Sequence, residues 1–203
     1  MSHLESSAPG RRERKRQQTL DHLANTAWTL FEALGFDAVT MERIAEDADV
    51  AKGTLYKHFP VKEALLRHRF HRELADALPA VFQEIAGLPT VETQLHAFLA
   101  RNAEWSEQHR AYLLPYVRFR LSEAHVKAVE QRSGLDQVFS HLIRQGQANG
   151  EFRMDYAPEL LANYLQFLYL AVLLRWLLDE GDSLAVEFER MLNVFLQGLK
   201  KPE

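Results

Sequence analysis

Residues 50–66 read VAKGTLYKHFPVKEALL, and between Lys52 and His58 they crowd two lysines, a threonine, a tyrosine and a histidine around one glycine. Each of these polar side chains brings an N–H or O–H donor, and the lysines add positive charge. Donors and cations at close spacing suit an anionic, acceptor-rich surface such as the phosphate backbone of a duplex. Drawn as a helix, the segment sends Leu55 and Phe59 to one side and Gly53 and Lys57 to the other, with Thr54 and Tyr56 flanking. A glycine inside a helix costs about 0.8–1 kcal/mol relative to alanine. At an outward position it calls for a reason outside the helix, and close approach of a second surface supplies one. Lys52, Thr54, Tyr56, Lys57 and His58 are all long or mobile enough to reach phosphate oxygens.

Other chemistries fit less well. His68 and His71 stand three apart with Glu73 beyond, a spacing that can hold a metal, but tetrahedral zinc needs three or four ligands and no further ones are evidently brought there. There is no cysteine, which excludes disulfides, thiolate metal sites and thiol nucleophiles, and agrees with a cytoplasmic setting. Glycine-rich phosphate loops, nucleophile elbows and paired carboxylates are missing, so no catalytic residue, metal or cofactor is assigned and the chain is not read as an enzyme. No apolar segment precedes a cleavage site, so no secretory signal is expected.

Charge is distributed unevenly. The chain of 203 residues carries a net −4, yet residues 1–70 hold eleven Lys/Arg against ten Asp/Glu. The excess gathers in Arg11, Arg12, Arg14, Lys15 and Arg16, read as a solvated arm over residues 1–16 that can displace counterions from nucleic acid.

Apolar residues recur every three or four positions from Gln17 onward, which predicts an all-α protein. A helix is expected over 17–34, with Gly35 as its C-terminal stop. Thr40 caps a short helix in MERIAEDA, and a second short helix begins near position 51. A long helix follows Pro60, bent near Pro79. Further helices start after Pro89–Thr90, around Leu113, at Leu135 and after Pro158. Residues 160–178, LLANYLQFLYLAVLLRWLL, reach membrane-spanning length, but Asn163, Gln166 and Arg175 are costly in lipid. With the amphipathic helix after Leu184, they read as a core or subunit-interface pair.

Two short helices joined by a tight turn make a helix-turn-helix, whose second helix lies in the major groove. Residues 35–66, GFDAVTMERIAEDADVAKGTLYKHFPVKEALL, resemble the DNA-binding signature of the TetR/AcrR family of bacterial transcriptional regulators. The resemblance rests on T-x-x-x-I-A in the first motif helix, KGTLYKHF in the second and KE-x-L opening the next. GEFRMDYAPELLANYL, residues 150–165, also resembles the stretch ahead of that family's dimerisation helices. The resemblance implies an N-terminal three-helix DNA-binding head over 17–62 and a larger C-terminal helical ligand-binding and dimerisation body over 63–203. It further implies a homodimer on a double-stranded inverted-repeat operator, and DNA contacts from Thr40, Lys52, Gly53, Thr54, Tyr56, Lys57, His58 and Lys62. Tyr56, His58 and Lys62 fall to phosphate and Lys52, Gly53, Thr54 and Lys57 to base edges. Where the family commonly has glycine in the turn and serine capping the recognition helix, this chain has Asp49 and Ala51.

The implied function is a ligand-responsive regulator, most simply a repressor released by a small molecule. Asn102, Trp105, Tyr112, Tyr116, Phe119, Phe139, Tyr164 and Phe167 are the residues expected to line its cavity, and their character favours a hydrophobic or aromatic effector. Aromatics at helical spacing equally describe a plain core. Asn102 stands out because it interrupts an apolar stripe and a buried amide needs partners. A protein of the same fold governed by a protein partner, with no small effector, is the alternative.

Overall fold

The computed structural model describes residues 10–123, 134–179 and 181–199. Nine helices occupy them: α1 (Arg11–Leu34), α2 (Met41–Asp47), α3 (Lys52–His58), α4 (Lys62–Ile85), α5 (Val91–Gln108), α6 (Arg110–Glu123), α7 (Leu135–Ala148), α8 (Pro158–Leu178) and α9 (Leu184–Leu199). The chain divides into two compact units, one ending at Arg72 and the other beginning at Glu73.

In the first unit, Leu23, Ala24, Ala27, Leu30 and Phe31 of α1 form the buried floor. Ile44 and Ala45 of α2, Leu55 and Phe59 around α3, and Ala64, Leu65 and Leu66 of α4 close over it. The helix stops are set by local backbone chemistry. Gly35 takes a left-handed φ of 82° while its N–H returns to the Phe31 carbonyl, and the Thr40 hydroxyl accepts from the Arg43 N–H to start α2. Asp49 carries φ 52° in the turn between α2 and α3, a position an aspartate tolerates better than most residues.

Two boundaries differ from the sequence reading. Helix α1 begins at Arg11, so residues 11–16 of the expected arm are helical, while residues 1–9 lie outside the described residues. Straight-chain Arg, Lys, Glu and Gln after Gly10 are good helix formers, and a Glu13–Arg16 pair at 3.1 Å supports the first turns. The division between units falls ten residues beyond the expected 62/63 limit, because the first turns of α4 belong to the head. There His68 reaches Asp21 at 2.7 Å, Arg69 donates to Asn25 at 2.9 Å, and Phe70 meets Trp28 edge-on at 5.9 Å. Helix α4 continues through Pro79 into the second unit.

The second unit is built on α5, α7, α8 and α9. Val91, Leu95, Phe98 and Leu99 of α5, Val138, Phe139 and Leu142 of α7, Leu161, Leu165 and Leu173 of α8, and Leu184, Phe188 and Leu192 of α9 are buried. Carboxylates from distant segments complete the helix starts: Glu151 accepts from the Val91 N–H at 2.8 Å and Glu107 from the Leu184 N–H at 3.1 Å. After α7 the chain turns so tightly that a Cβ on Gly146 would overlap the Phe152 ring. The Arg153 N–H then ties the loop to the Leu199 carbonyl at 2.9 Å. Helix α8 has the length and composition of a membrane span, with mean hydropathy 1.4, but its inward residues pack against α6, α7 and α9.

Candidate nucleic-acid interface and body site

Helix α3 is held from beneath. Leu55 is fully buried and Phe59 nearly so, and Phe59 meets the His68 ring of α4 edge-on at 5.6 Å. The turn that aims the helix is closed by Val50 N–H on the Ala45 carbonyl at 3.0 Å and by His22 of α1, whose Nε2 lies 3.1 Å from the Ala48 carbonyl. With its inner side fixed, α3 presents Lys52, Gly53, Thr54, Tyr56 and Lys57 to solvent, with His58 half-buried at the last turn. A Cβ built on Gly53 meets nothing within 4 Å, so nothing inside the protein demands a glycine there. Ala51 makes no side-chain cap bond, which leaves the first N–H groups of α3 without a side-chain acceptor.

The eight residues expected at DNA are not equivalent. Thr40 is exposed, but its hydroxyl oxygen already accepts from Arg43. Lys62 already has partners inside the free protein: its ammonium donates to the carbonyls of Phe36 at 2.7 Å and Val39 at 3.1 Å and sits 4.4 Å over the Phe36 ring. It clamps the connection between α1 and α2, because a half-buried cation needs acceptors and the carbonyls beyond α1 lack helical partners. Tyr56 donates its hydroxyl to Glu42 of α2 at 3.2 Å, a partner the sequence did not mark. Partial desolvation, then the Glu42 charge and this hydrogen bond, hold the Tyr56 hydroxyl above its ordinary pKa.

In the second unit the expected cavity residues separate into groups. Asn102 of α5 accepts a 2.6 Å hydrogen bond from the Tyr169 hydroxyl of α8, and Phe139 lies against both Phe98 and Tyr169 at centroid distances of 5.9 and 6.4 Å. Tyr169 also stacks on Phe188 at 4.8 Å. Burial and then the neighbouring Tyr116 push the Tyr169 hydroxyl well above the usual tyrosine value, so it is a neutral donor. Asn102, Tyr116 and Phe139 thus gather around Tyr169. Trp105 faces elsewhere, donating to Glu73 at 3.1 Å and stacking on His109 at 4.3 Å; Tyr112 and Phe119 are half-buried on α6.

Tyr164 and Phe167 depart from expectation, since each is 53% exposed. Their register explains it: the inward positions of α8 are Leu161, Leu165, Tyr169, Leu173 and Trp176, and 164 and 167 fall on the opposite arc with Leu160 and Leu168. Tyr169 went unmarked because its partner lies 67 residues away; the readable signal was the polar interruption at Asn102. A separate groove of about 500 Å³ between α7 and α8 has Asp136, His141, Arg144 and Glu159 in its lining and contains none of the eight residues expected to line the effector cavity.

A family model described as bacterial regulatory proteins, tetR family, matches residues 23–68, the span from α1 to the first turns of α4. The HTH-type transcriptional repressor KstR2 of Rhodococcus jostii is 28% identical over 189 residues, covering 89% of this chain and 90% of that protein. The HTH-type transcriptional regulator UidR of Escherichia coli is 25% identical over 186 residues, covering 91% and 90%. Among solved structures, the FadR repressor of Thermus thermophilus in complex with lauroyl-CoA aligns with a TM-score of 0.78 at 26% identity, covering 91% of this chain and 96% of that one.

Proposed function

We propose that the chain is a member of the tetR family of bacterial regulatory proteins and acts as a ligand-responsive transcriptional repressor that binds an inverted-repeat operator as a homodimer in the bacterial cytoplasm. It is a DNA-binding regulator and not an enzyme. The observation that carries the reading is the outer face of α3, where Gly53 opens onto empty space between donor-bearing residues while Leu55 and Phe59 anchor the helix beneath. Lys52, Gly53, Thr54 and Lys57 are the proposed groove contacts, and Tyr56 and His58 the phosphate contacts. The proposed head runs from α1 through the first turns of α4, and the remaining helices form the regulatory body.

The proposed dimer interface is the outer arc of α8 with α9. Leu160, Tyr164, Phe167 and Leu168 are exposed together on α8, and Val194 is 73% exposed on α9. A two-fold axis through such a face presents two recognition helices to successive major grooves. For the effector, we propose a small hydrophobic molecule received near the Tyr169, Asn102, Tyr116 and Phe139 group. Support comes from the aromatic character of that group and from the likeness to FadR, which is in complex with lauroyl-CoA.

Fluorescence anisotropy on an inverted-repeat duplex from upstream of the coding sequence tests the reading. Operator affinity should exceed random-duplex affinity by about 10³-fold or more at physiological salt. Lauroyl-CoA, used as a probe for its twelve-carbon acyl chain with free coenzyme A as the control for its anionic part, should release the operator. Equal affinity for both duplexes at every salt concentration overturns specific regulation, and release by polar sugars but not by the probe overturns the effector class.

A further inference from the structure

We propose that Glu42 is a specificity-determining residue: it holds the single hydroxyl proton of Tyr56 in the free protein and yields it to phosphate only when α3 is fully seated. The inference rests on the operator-binding reading above. Tyr56 donates to Glu42 at 3.2 Å, linking the outer faces of α3 and α2. A phenol has one proton to donate, so the contact with Glu42 and a contact with a phosphate exclude each other. Glu42 lies in the first turn of α2, where a carboxylate is favoured by the helix N-terminus. It also stands in an acidic setting: Glu46, Asp47 and Asp49 are exposed nearby in sequence, and Arg43 is engaged with Asp47 at 2.8 Å.

The consequence differs between the two kinds of duplex. Binding to random DNA is essentially electrostatic, and without base complementarity nothing draws α3 fully into the groove. There Tyr56 stays on Glu42, contributes nothing to phosphate, and the carboxylate opposes the approach of the backbone. On the operator, base complementarity draws α3 into the groove, Tyr56 exchanges the carboxylate for a phosphate oxygen, and the freed Glu42 is hydrated. The carboxylate therefore weighs more heavily against wrong sequences than against the right one, which is how discrimination is gained without a new attraction.

Glu42→Gln, which keeps the side-chain shape and removes the charge, should tighten random-duplex binding by about tenfold and operator binding by no more than about threefold, lowering the selectivity ratio. Tyr56→Phe should weaken operator binding by about five- to tenfold and leave random-duplex binding nearly unchanged. In the Tyr56→Phe background the effect of Glu42→Gln on the ratio should shrink, as coupled residues require. Both variants are read alongside thermal melting, and Glu42→Ala replaces Glu42→Gln if the latter melts early. A ratio unchanged by removal of the charge, or an undiminished effect in the Tyr56→Phe background, overturns the proposal. Failure of the wild-type chain to discriminate at all instead overturns the operator reading itself.

Discussion

Helices α3 and α8 each leave one face uncovered, and the two faces have opposite chemistry. The outer side of α3 offers Lys52, Thr54, Tyr56 and Lys57 around a glycine; the outer arc of α8 offers Leu160, Tyr164, Phe167 and Leu168. A donor-rich cationic face is stable in water and remains ready for an anion. An apolar arc is not at rest there, since each half-exposed large side chain forgoes about half of the roughly 1.5–3 kcal/mol that full burial gives. The first face therefore suits a partner that comes and goes, and the second suits a partner that stays. An operator and a second copy of the chain are the proposed pair.

The sharpest way to break the comparison is to give α8 the chemistry of α3. Phe167→Glu places a charge in the proposed interface, where losing the remaining burial of a half-exposed phenylalanine costs about 1 kcal/mol and an unpaired buried charge costs several more. Dimer association should weaken at least about 100-fold in sedimentation equilibrium, with operator binding falling alongside it. Because Phe167 is 53% exposed in the single chain, helical content should hold. An unchanged association constant would remove Phe167 from the proposed interface.

The second test separates two lysines that the sequence groups together. Lys57 projects from α3, whereas Lys62 is bound to the carbonyls of Phe36 and Val39. Lys62→Met keeps the aliphatic stem and removes donors of the charge-assisted kind, each contributing about 1.5–3 kcal/mol. Thermal unfolding of the head should shift down accordingly, while the salt dependence of operator binding should keep its slope. A slope reduced by about 0.9, as for a lost phosphate contact, would put Lys62 back at the DNA.

That pair of lysines also shows what can be read from sequence and what cannot. The head was legible almost position by position because its determinants are local: a cap at Thr40, a left-handed turn at Asp49, and an inward pair, Leu55 and Phe59, one helical turn apart. The internal partners of Lys62 were not legible, because its acceptors lie on a connection some 25 residues earlier, which spacing does not report. In the body the helices were legible from their periodicity, but the site was not. Asn102 announced a need for a partner, yet Tyr169 supplies it across 67 residues. Tyr164 and Phe167 misled because α8 is apolar on every side, so hydrophobicity gives no sign of which arc faces inward.

The smallest expected effect is the most discriminating, because it takes opposite signs in the two states of the head. A Cβ at Gly53 meets nothing within 4 Å and the backbone there has no left-handed φ. Gly53→Ala should therefore stabilise the free protein by roughly 0.5–1 kcal/mol, the helix preference for alanine over glycine. If the glycine serves close approach to the duplex, the same methyl group should weaken operator binding by a few-fold or more. A chain that melts higher and binds less well would place the reason for Gly53 in the DNA. A chain that melts higher and binds as before would remove that reason, and with it the physical ground for seating the α3 backbone against a groove.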